Sequence, residues 1–412
     1  MPLAPQSPQR LLPRRVRRRG LMILLINTYL MWSGFFMIIP VLSLHYVDDL
    51  GWAAASIGII LGVRQFLQQT LTVIGGALAD RFGAKQLILI GLVVRTIAFA
   101  GMAGAVDFST LLVTAILAAV GGSLFDAPSG AAIAALTTEE ERPRFYSIRG
   151  VTTGLGLTTG PLIGSALLEV DFALVAYLSA ACYVAALVIA LVGLPAVRVG
   201  EADQPLAYGV RLALRDRAFL VLTALLMGYW FMWVQLTISL PLKGEALSGE
   251  KSSVGLIYTV NSLITIFLQI PIVRALEHRL SPMTALVLGV AVMALGLGSL
   301  AVMPTFPLML ASIAVFSLGN LIALANQNTV IAELARPEAR GSYFGVSAVA
   351  LALGGSLGNV LGSALYGESV VRNSPALPWL WIMSVGLSAA LGLHVLNRHL
   401  ETHRRQTAPA DS

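Results

Sequence analysis

Apolar runs of about twenty residues recur from one end of this chain to the other, and each is long enough to cross the hydrocarbon core of a bilayer. No other feature limits the fold as much. Lipid offers no water to satisfy backbone N–H and C=O groups, so a spanning chain is helical or forms a closed barrel. Barrel strands alternate apolar and polar side chains over about ten residues. These runs are continuous and longer, so they read as helices. Composition agrees: 57% of residues are hydrophobic and 12% charged, against about 25% charged in a soluble domain.

The runs predict an all-α membrane protein with twelve spans, at 21–44, 54–79, 86–105, 109–131, 145–168, 173–195, 218–242, 254–274, 283–303, 308–331, 343–365 and 379–398. The expected units are a basic cytoplasmic arm over 1–20, a first six-helix half over 21–195, a cytoplasmic linker over 196–217, a second six-helix half over 218–398 and a cytoplasmic tail over 399–412.

Lys and Arg are divided unevenly between alternate loops. With the N-terminus inside, the inner segments hold 21 of the 27, and the outer loops hold three, Lys243, Lys251 and Arg372. Basic residues mark the cytoplasmic side, so both termini are expected there. The net charge of +6 is then an orientation signal, scattered through short loops rather than gathered into a face that would hold nucleic acid. Arg10, Arg14, Arg15, Arg17, Arg18 and Arg19 imitate the start of a secretory signal, but the apolar run after them is too long and no small-residue cleavage site follows. The single cysteine, Cys182, lies in an apolar run and is expected to pack.

The two halves repeat at an offset of 198 residues. Gly156, Gly160, Gly164 and Ser165 align with Gly354, Gly358, Gly362 and Ser363, and Pro161 aligns with Asn359. The same offset pairs Trp32 with Trp230, Arg81 with Arg279, Gly121 with Gly319, Arg142 with Arg340 and Phe145 with Tyr343. Parallel repeats about an axis along the membrane normal are an architecture of secondary transporters.

The loop Gly76-Ala-Leu-Ala-Asp80-Arg81-Phe-Gly83-Ala-Lys85 places three charges between the second and third spans. Gly83 supplies the freedom to reverse direction. This stretch resembles the signature loop of the major facilitator superfamily, with Ala84 departing from it. Gly156, Gly160, Pro161 and Gly164 resemble the fifth-helix motif of that family's twelve-span drug:proton antiporters. Gly34, Pro40 and Val41 resemble a first-helix motif of the same group. The resemblance implies two pseudo-symmetric six-helix halves, and a conformational latch at Gly76, Asp80, Arg81, Gly83 and Lys85. It also implies a cavity lined by spans one, four, seven and ten. The acid some relatives carry in the first helix is absent, with Asn27 the nearest polar substitute, and so is the common fourth-helix arginine before Gly121 and Gly122.

Charges inside spans are few: Arg64, Arg95, Asp126 and Arg149. Such residues are costly in lipid and face a cavity or a partner. At 1.5 Å per residue, Arg64 and Arg95 fall about 15 Å into their spans. Asp126 and Arg149 fall at a shared depth, either as a static ion pair or as a site where Asp126 takes a proton and releases Arg149. Arg64 and Gln68, and Gln65 and Gln69, are four apart on one helix, facing either the packing or the cavity. Trp32, Phe35 and Phe36 of span one and Tyr229, Trp230 and Trp233 of span seven hold symmetric positions, and Trp32 and Trp230 fall near the span centres, where Trp is unusual. They are expected to line the cavity for flat lipophilic compounds, through stacking and cation–π contact, or to pack.

The resemblance implies a multi-pass inner-membrane exporter of drug-like compounds, driven by proton antiport. Its partners would be a small-molecule substrate, protons and the bilayer, in a monomer without cofactor or metal. No Walker-type Gly-Lys-Ser/Thr loop is present, which argues against direct ATP drive. The alternatives are an exporter of one metabolite, such as a sugar or amino acid, a membrane-embedded enzyme and a scaffold. The five histidines form no ligand set within a span, and the short loops leave little to bind a partner protein.

Overall fold

The structure is a computed structural model that describes residues 13–138, 140–196, 206–277, 279–336 and 339–407. Residues 1–12 of the expected arm, 197–205 of the linker and 408–412 of the tail lie outside the described residues. Among those described, the secondary structure is all helical. The first half is built from α1 (Arg14–Ser43), α2 (Ala54–Phe82), α3 (Ala84–Met102), α4 (Phe108–Leu136), α5 (Arg142–Leu168) and α6 (Phe172–Gly193). A short amphipathic helix, α7 (Leu206–Arg215), leads into α8 (Arg217–Trp233), α9 (Ser239–Ser248), α10 (Ser253–Glu277), α11 (Pro282–Ser299) and α12 (Phe306–Leu334). The chain closes with α13 (Arg340–Val349), α14 (Ser356–Val371) and α15 (Leu377–Thr407).

Among the described residues, eleven helical segments are long and apolar enough to cross a membrane. They count α1 with its extension to Asp49, α8 joined to α9, and α13 joined to α14 as one segment each. The expected second span falls in α2, a 29-residue helix that stands outside those eleven.

Local sequence explains the helix ends. Gly83 separates α2 from α3 at φ 87°, a conformation that suits glycine, as expected of the loop. Asp107, Asp171 and Asp216 cap α4, α6 and α8 by accepting from backbone N–H groups, which satisfies donors that a helix start leaves free. Before α5, Thr138 and Glu141 bond each other's backbone N–H reciprocally, as in a capping box.

Two expected spans are not straight. The run 218–242 breaks at a 3₁₀ turn, Val234–Leu236, before α9 begins. Broken helices survive in membranes where other groups satisfy the freed backbone, and polar side chains do so here. Gln235 Nε2 donates to the Phe231 and Gly358 carbonyls at 2.8 and 3.1 Å. Tyr258 donates to the Leu236 carbonyl at 2.8 Å. Thr237 Oγ1 lies 2.6 Å from the Val234 carbonyl and 2.8 Å from Asn359 Oδ1. Asn359 thus has work to do at the break that a proline, like its counterpart Pro161, would not perform. The run 343–365 contains a π-helical turn, Ala350–Gly355, where Gly354 meets the Met227 backbone.

The sequence repeat is also a packing repeat. Gly156, Gly160 and Gly164 of α5 sit against the α1 backbone from Trp32 to Met37. Gly354, Gly358 and Gly362 sit against the stretch from Met227 to Gln235. A side chain at any of these glycines would meet the neighbouring helix, so the stripes permit close approach.

The halves meet at the end of the bundle away from the start of α1. There α2 packs on α14 and α5 on α10. Ser356 Oγ donates to the Gly62 carbonyl at 2.9 Å, Gly255 lies against Leu162 and Ser165, and Phe36 lies 5.9 Å from Tyr258, ring to ring. Lys251 and Asp49 close the far edge with an ion pair of 2.5 Å. At the opposite end, polar contacts among the described residues stay within one half. Arg17 pairs with Glu141 and donates to the Leu136 carbonyl, Lys85 donates to the Leu191 carbonyl, and Tyr343 donates to Asp216.

Candidate functional site

A small pocket opens among the helices of the first half, lined by Met31, Trp32 and Phe35 of α1, Gln68 of α2, Arg95 of α3 and Asp126 of α4. Small residues make room for it. A side chain at Gly122 would run into the Arg95 guanidinium and the Gln68 amide, so the glycine pair on α4 lets Arg95 lie flat against that helix.

Arg64 and Arg95 are both buried and converge on one ring. Their guanidinium carbons lie 4.7 and 5.4 Å from the centre of Phe35, within cation–π range. Arg95 also lies 5.5 Å from the Tyr183 ring and 5.9 Å from Phe99. Arg64 donates to Gln68 Oε1 at 2.7 Å and Gln65 Oε1 at 2.9 Å. Gln68 Nε2 in turn donates to Asp126 Oδ2 at 3.1 Å. One amide thus links a buried cation to the acid. The Nε atoms of both arginines have no hydrogen-bond partner.

Arg149 does reach Asp126, but not as the expected ion pair. Its Nη2 lies 3.4 Å from the Asp126 main-chain carbonyl and 3.2 Å from Ser129 Oγ. The depths agreed, but the α5 side chain meets the α4 backbone, while the carboxylate turns towards α2.

Several expected cavity residues lie elsewhere. Phe36 is buried, stacked on Trp32 at 5.7 Å, and forms part of the closed far wall with Tyr258. Tyr229 is fully buried and donates to Asn320 at 2.7 Å. Trp230 and Trp233 are half-buried, edge to face at 5.6 Å. Asn27 is completely buried with neither amide atom partnered, apart from the pocket lining. Trp32, Arg95 and Asp126 do line it.

Within the expected latch, Lys85 caps the end of α6 and Arg81 lies over Phe82 at 5.4 Å. Among the described residues neither makes a hydrogen bond or ion pair to the second half. The surroundings of Gly76 and the side chain of Asp80 lie outside what is described.

Sequence reasoning missed that Phe35 is shared by two arginines, and that Gln68 bridges to Asp126. The spacing of Arg64 and Gln68 was visible, but the α4 glycines beside a lone arginine on α3 held the remaining signal. The offset of 198 carries Arg64, Gln68, Arg95 and Asp126 onto Ser262, Ile266, Met293 and Leu324. The second half therefore has no ionic counterpart to this cluster, and its polar contacts there are neutral: Tyr229 with Asn320 and Ser317 with Asn261.

Two pseudo-repeated helical halves packed face to face, with a charged pocket in one, define a multi-pass membrane protein with a transporter fold. The chain belongs to the Major Facilitator Superfamily, whose sequence pattern matches residues 24–359 and 236–410. It is similar to proteins named multidrug resistance protein MdtH. The Aeromonas hydrophila protein is 37% identical over 92% of this chain and 95% of its own length. The Edwardsiella ictaluri protein is 39% identical over 90% and 93%. Among solved structures, the fold resembles a peptide transporter POT in complex with sulfate, with a TM-score of 0.78 and 16% identity over 92% of this chain and 94% of that one. It also resembles the POT family transporter PepTSo, with a TM-score of 0.78 and 12% identity over 93% and 98%.

Proposed function

We propose that this chain is an alternating-access exporter of drug-like compounds, driven by inward proton flow across the inner membrane. Asp126 carries the reading. It is half-buried in the pocket wall, and its carboxylate takes a hydrogen bond from the neutral Gln68 with no ion pair among the described residues. An acid so placed exchanges a proton without breaking an ion pair. Through Gln68, its charge state then biases Arg64 rather than releasing Arg149. The relatives named for multidrug resistance and the aromatic lining of Trp32 and Phe35 support drug-like substrates.

In this proposal α2 is the remaining span, which makes twelve, and the basic asymmetry of the loops puts both termini in the cytoplasm. The closed far end then faces outward, and the structure is the inward-facing state of a monomeric transporter that performs no covalent chemistry. The narrowness of the pocket favours one alternative, export of a single small metabolite.

Inverted membrane vesicles with an acidified lumen test the proposal, with empty-vector vesicles as the control. Proton release on adding several unrelated lipophilic compounds supports polyspecific antiport. Release with one metabolite alone selects the alternative, and release with none rejects proton-coupled export.

A further inference from the structure

The closed far end holds more acid than its ion pair neutralises. Asp48 lies on the π-helical turn that extends α1, Leu44–Asp49. Glu245 lies on α9, beyond the break in the seventh span. Their side chains hydrogen-bond to each other across the two halves. The offset of 198 carries Val47 onto Glu245 and Asp48 onto Ala246, so the far ends of spans one and seven meet at this pair. The nearby ammonium, Lys251, sits on Asp49 at 2.5 Å, and His45 lies 3.3 Å from that same carboxylate, with Asp171 beyond it. Tyr366 of α14 faces both members of the pair. Among the described residues neither Asp48 nor Glu245 forms an ion pair. Two carboxyl groups hydrogen-bond only when one of them holds a proton, because like charges so close do not both ionise. Asp48 is exposed and Glu245 half-buried, so that proton exchanges with water at the far rim, away from the pocket.

The geometry points to a proton-held lock on the far gate: Asp48 and Glu245 share one proton while that end is closed, and part as two carboxylates when it opens. Acid on the far side therefore keeps the lock made. Rising pH removes the proton, leaves two negative charges in contact and favours opening. The proton enters and leaves on the same side, so the lock sets how readily the far end opens and moves no charge across the bilayer. That the far side is the outside rests on the exporter reading, but the lock does not.

The test is a pH titration of the purified full chain in lipid nanodiscs, with spin labels at the far ends of α2 and α14 reporting opening. Between about pH 5 and pH 9 the open-to-closed ratio is expected to rise by up to about tenfold per pH unit. Glu245→Gln, whose amide donates to Asp48 at every pH, is expected to stay closed and lose the response. Glu245→Ala is expected to lose it too, but with the far end more open in acid. Infrared spectra supply a readout that packing alone would not move: the protonated-carboxyl stretch of the parent at neutral pH is expected to weaken in Glu245→Gln. Asp126→Asn removes the pocket acid and is expected to keep the far-end response. A flat titration of the unaltered protein overturns the inference without requiring a folded variant. So does a response that survives Glu245→Gln, or one that disappears in Asp126→Asn. A far end that opens with pH in vesicles releasing no protons would uphold the lock and reject proton-coupled export, so the two failures are distinguishable.

Discussion

Lys251 Nζ lies 2.5 Å from an Asp49 carboxylate oxygen and joins the second half to the first across 202 residues of chain. His45 leans on the same aspartate at 3.3 Å. The pair is partly exposed, and such bridges contribute about 0–1 kcal/mol. It exists where the far end is closed. Lys251→Ala is therefore expected to shift the balance towards far-end opening by up to about fivefold. Distances between spin labels on α2 and α14 would read the shift. High salt should produce a similar change in the unaltered protein, because screening weakens exposed pairs. An unchanged distance distribution would remove the pair from the gate.

Asp126→Asn keeps the shape of the pocket wall and the amide of Gln68 but cannot lose a proton. In the vesicle assay it is expected to abolish substrate-induced proton release, while purified protein still melts as a folded species. Full proton release by this variant would end the case for Asp126.

The α5 stripe predicts a graded packing series. A Cβ at Gly160 would lie 2.6 Å from the Ser33 carbonyl oxygen, whereas one at Gly154 meets nothing within 4 Å. Overpacking a filled contact costs about 1–3 kcal/mol. Gly160→Ala is expected to lower the melting temperature of the protein in detergent, and Gly154→Ala to leave it unchanged. Similar melting of the two would show that α1 and α5 are less tightly joined than they stand here.

The break in the seventh span depends on side chains. Gln235 donates to two carbonyls and accepts from Ser239 at 2.7 Å. Gln235→Leu leaves those groups unpaired, a loss of about 1–3 kcal/mol. Asn359→Pro, which installs the first-half residue in the second half, removes the acceptor for Thr237. Both variants are expected to melt earlier than the parent, and a neutral Gln235→Leu would mean the break is held by packing alone.

Outside the membrane, the Thr138 N–H, followed by the Arg17 charge, holds the Glu141 carboxyl below its usual value. A group with a lowered folded pKa contributes stability above its unfolded value and loses it as pH falls through the folded one. The melting-temperature gap between parent and Glu141→Gln is expected to close between about pH 5 and pH 3. A gap constant across that range would assign the clamp to the Arg17–Leu136 contact instead.

The helices and the repeat were legible because bilayer thickness and the positive-inside bias act on composition, and composition is visible in one dimension. The stripe at Gly156, Gly160 and Gly164 was legible for the same reason: its spacing is that of one helix face. The pocket was less so. Arg64, Arg95 and Asp126 were visible as buried charges, but they come from three helices, and nothing in the chain says that Phe35 stands between two of them. Depth alone paired Asp126 with Arg149, because depth carries no information about the direction in which a side chain turns. Phe36 and Tyr229 sat at the right height and faced the wrong way. The break at Val234–Leu236 was hidden by an apolar run that continues through it.

The ionic cluster of the first half and the neutral positions matched to it in the second have an electrical consequence. Among the described residues, the buried charged side chains are Arg17, Arg64 and Arg95, all in the first half. A membrane voltage exerts about 2.3 kcal/mol per elementary charge per 100 mV across the full span. That force falls on Arg64, Arg95 and Asp126, and not on Ser262, Met293 or Leu324. The field pulls on one lobe of a two-lobed machine, and the other moves as its uncharged counterweight.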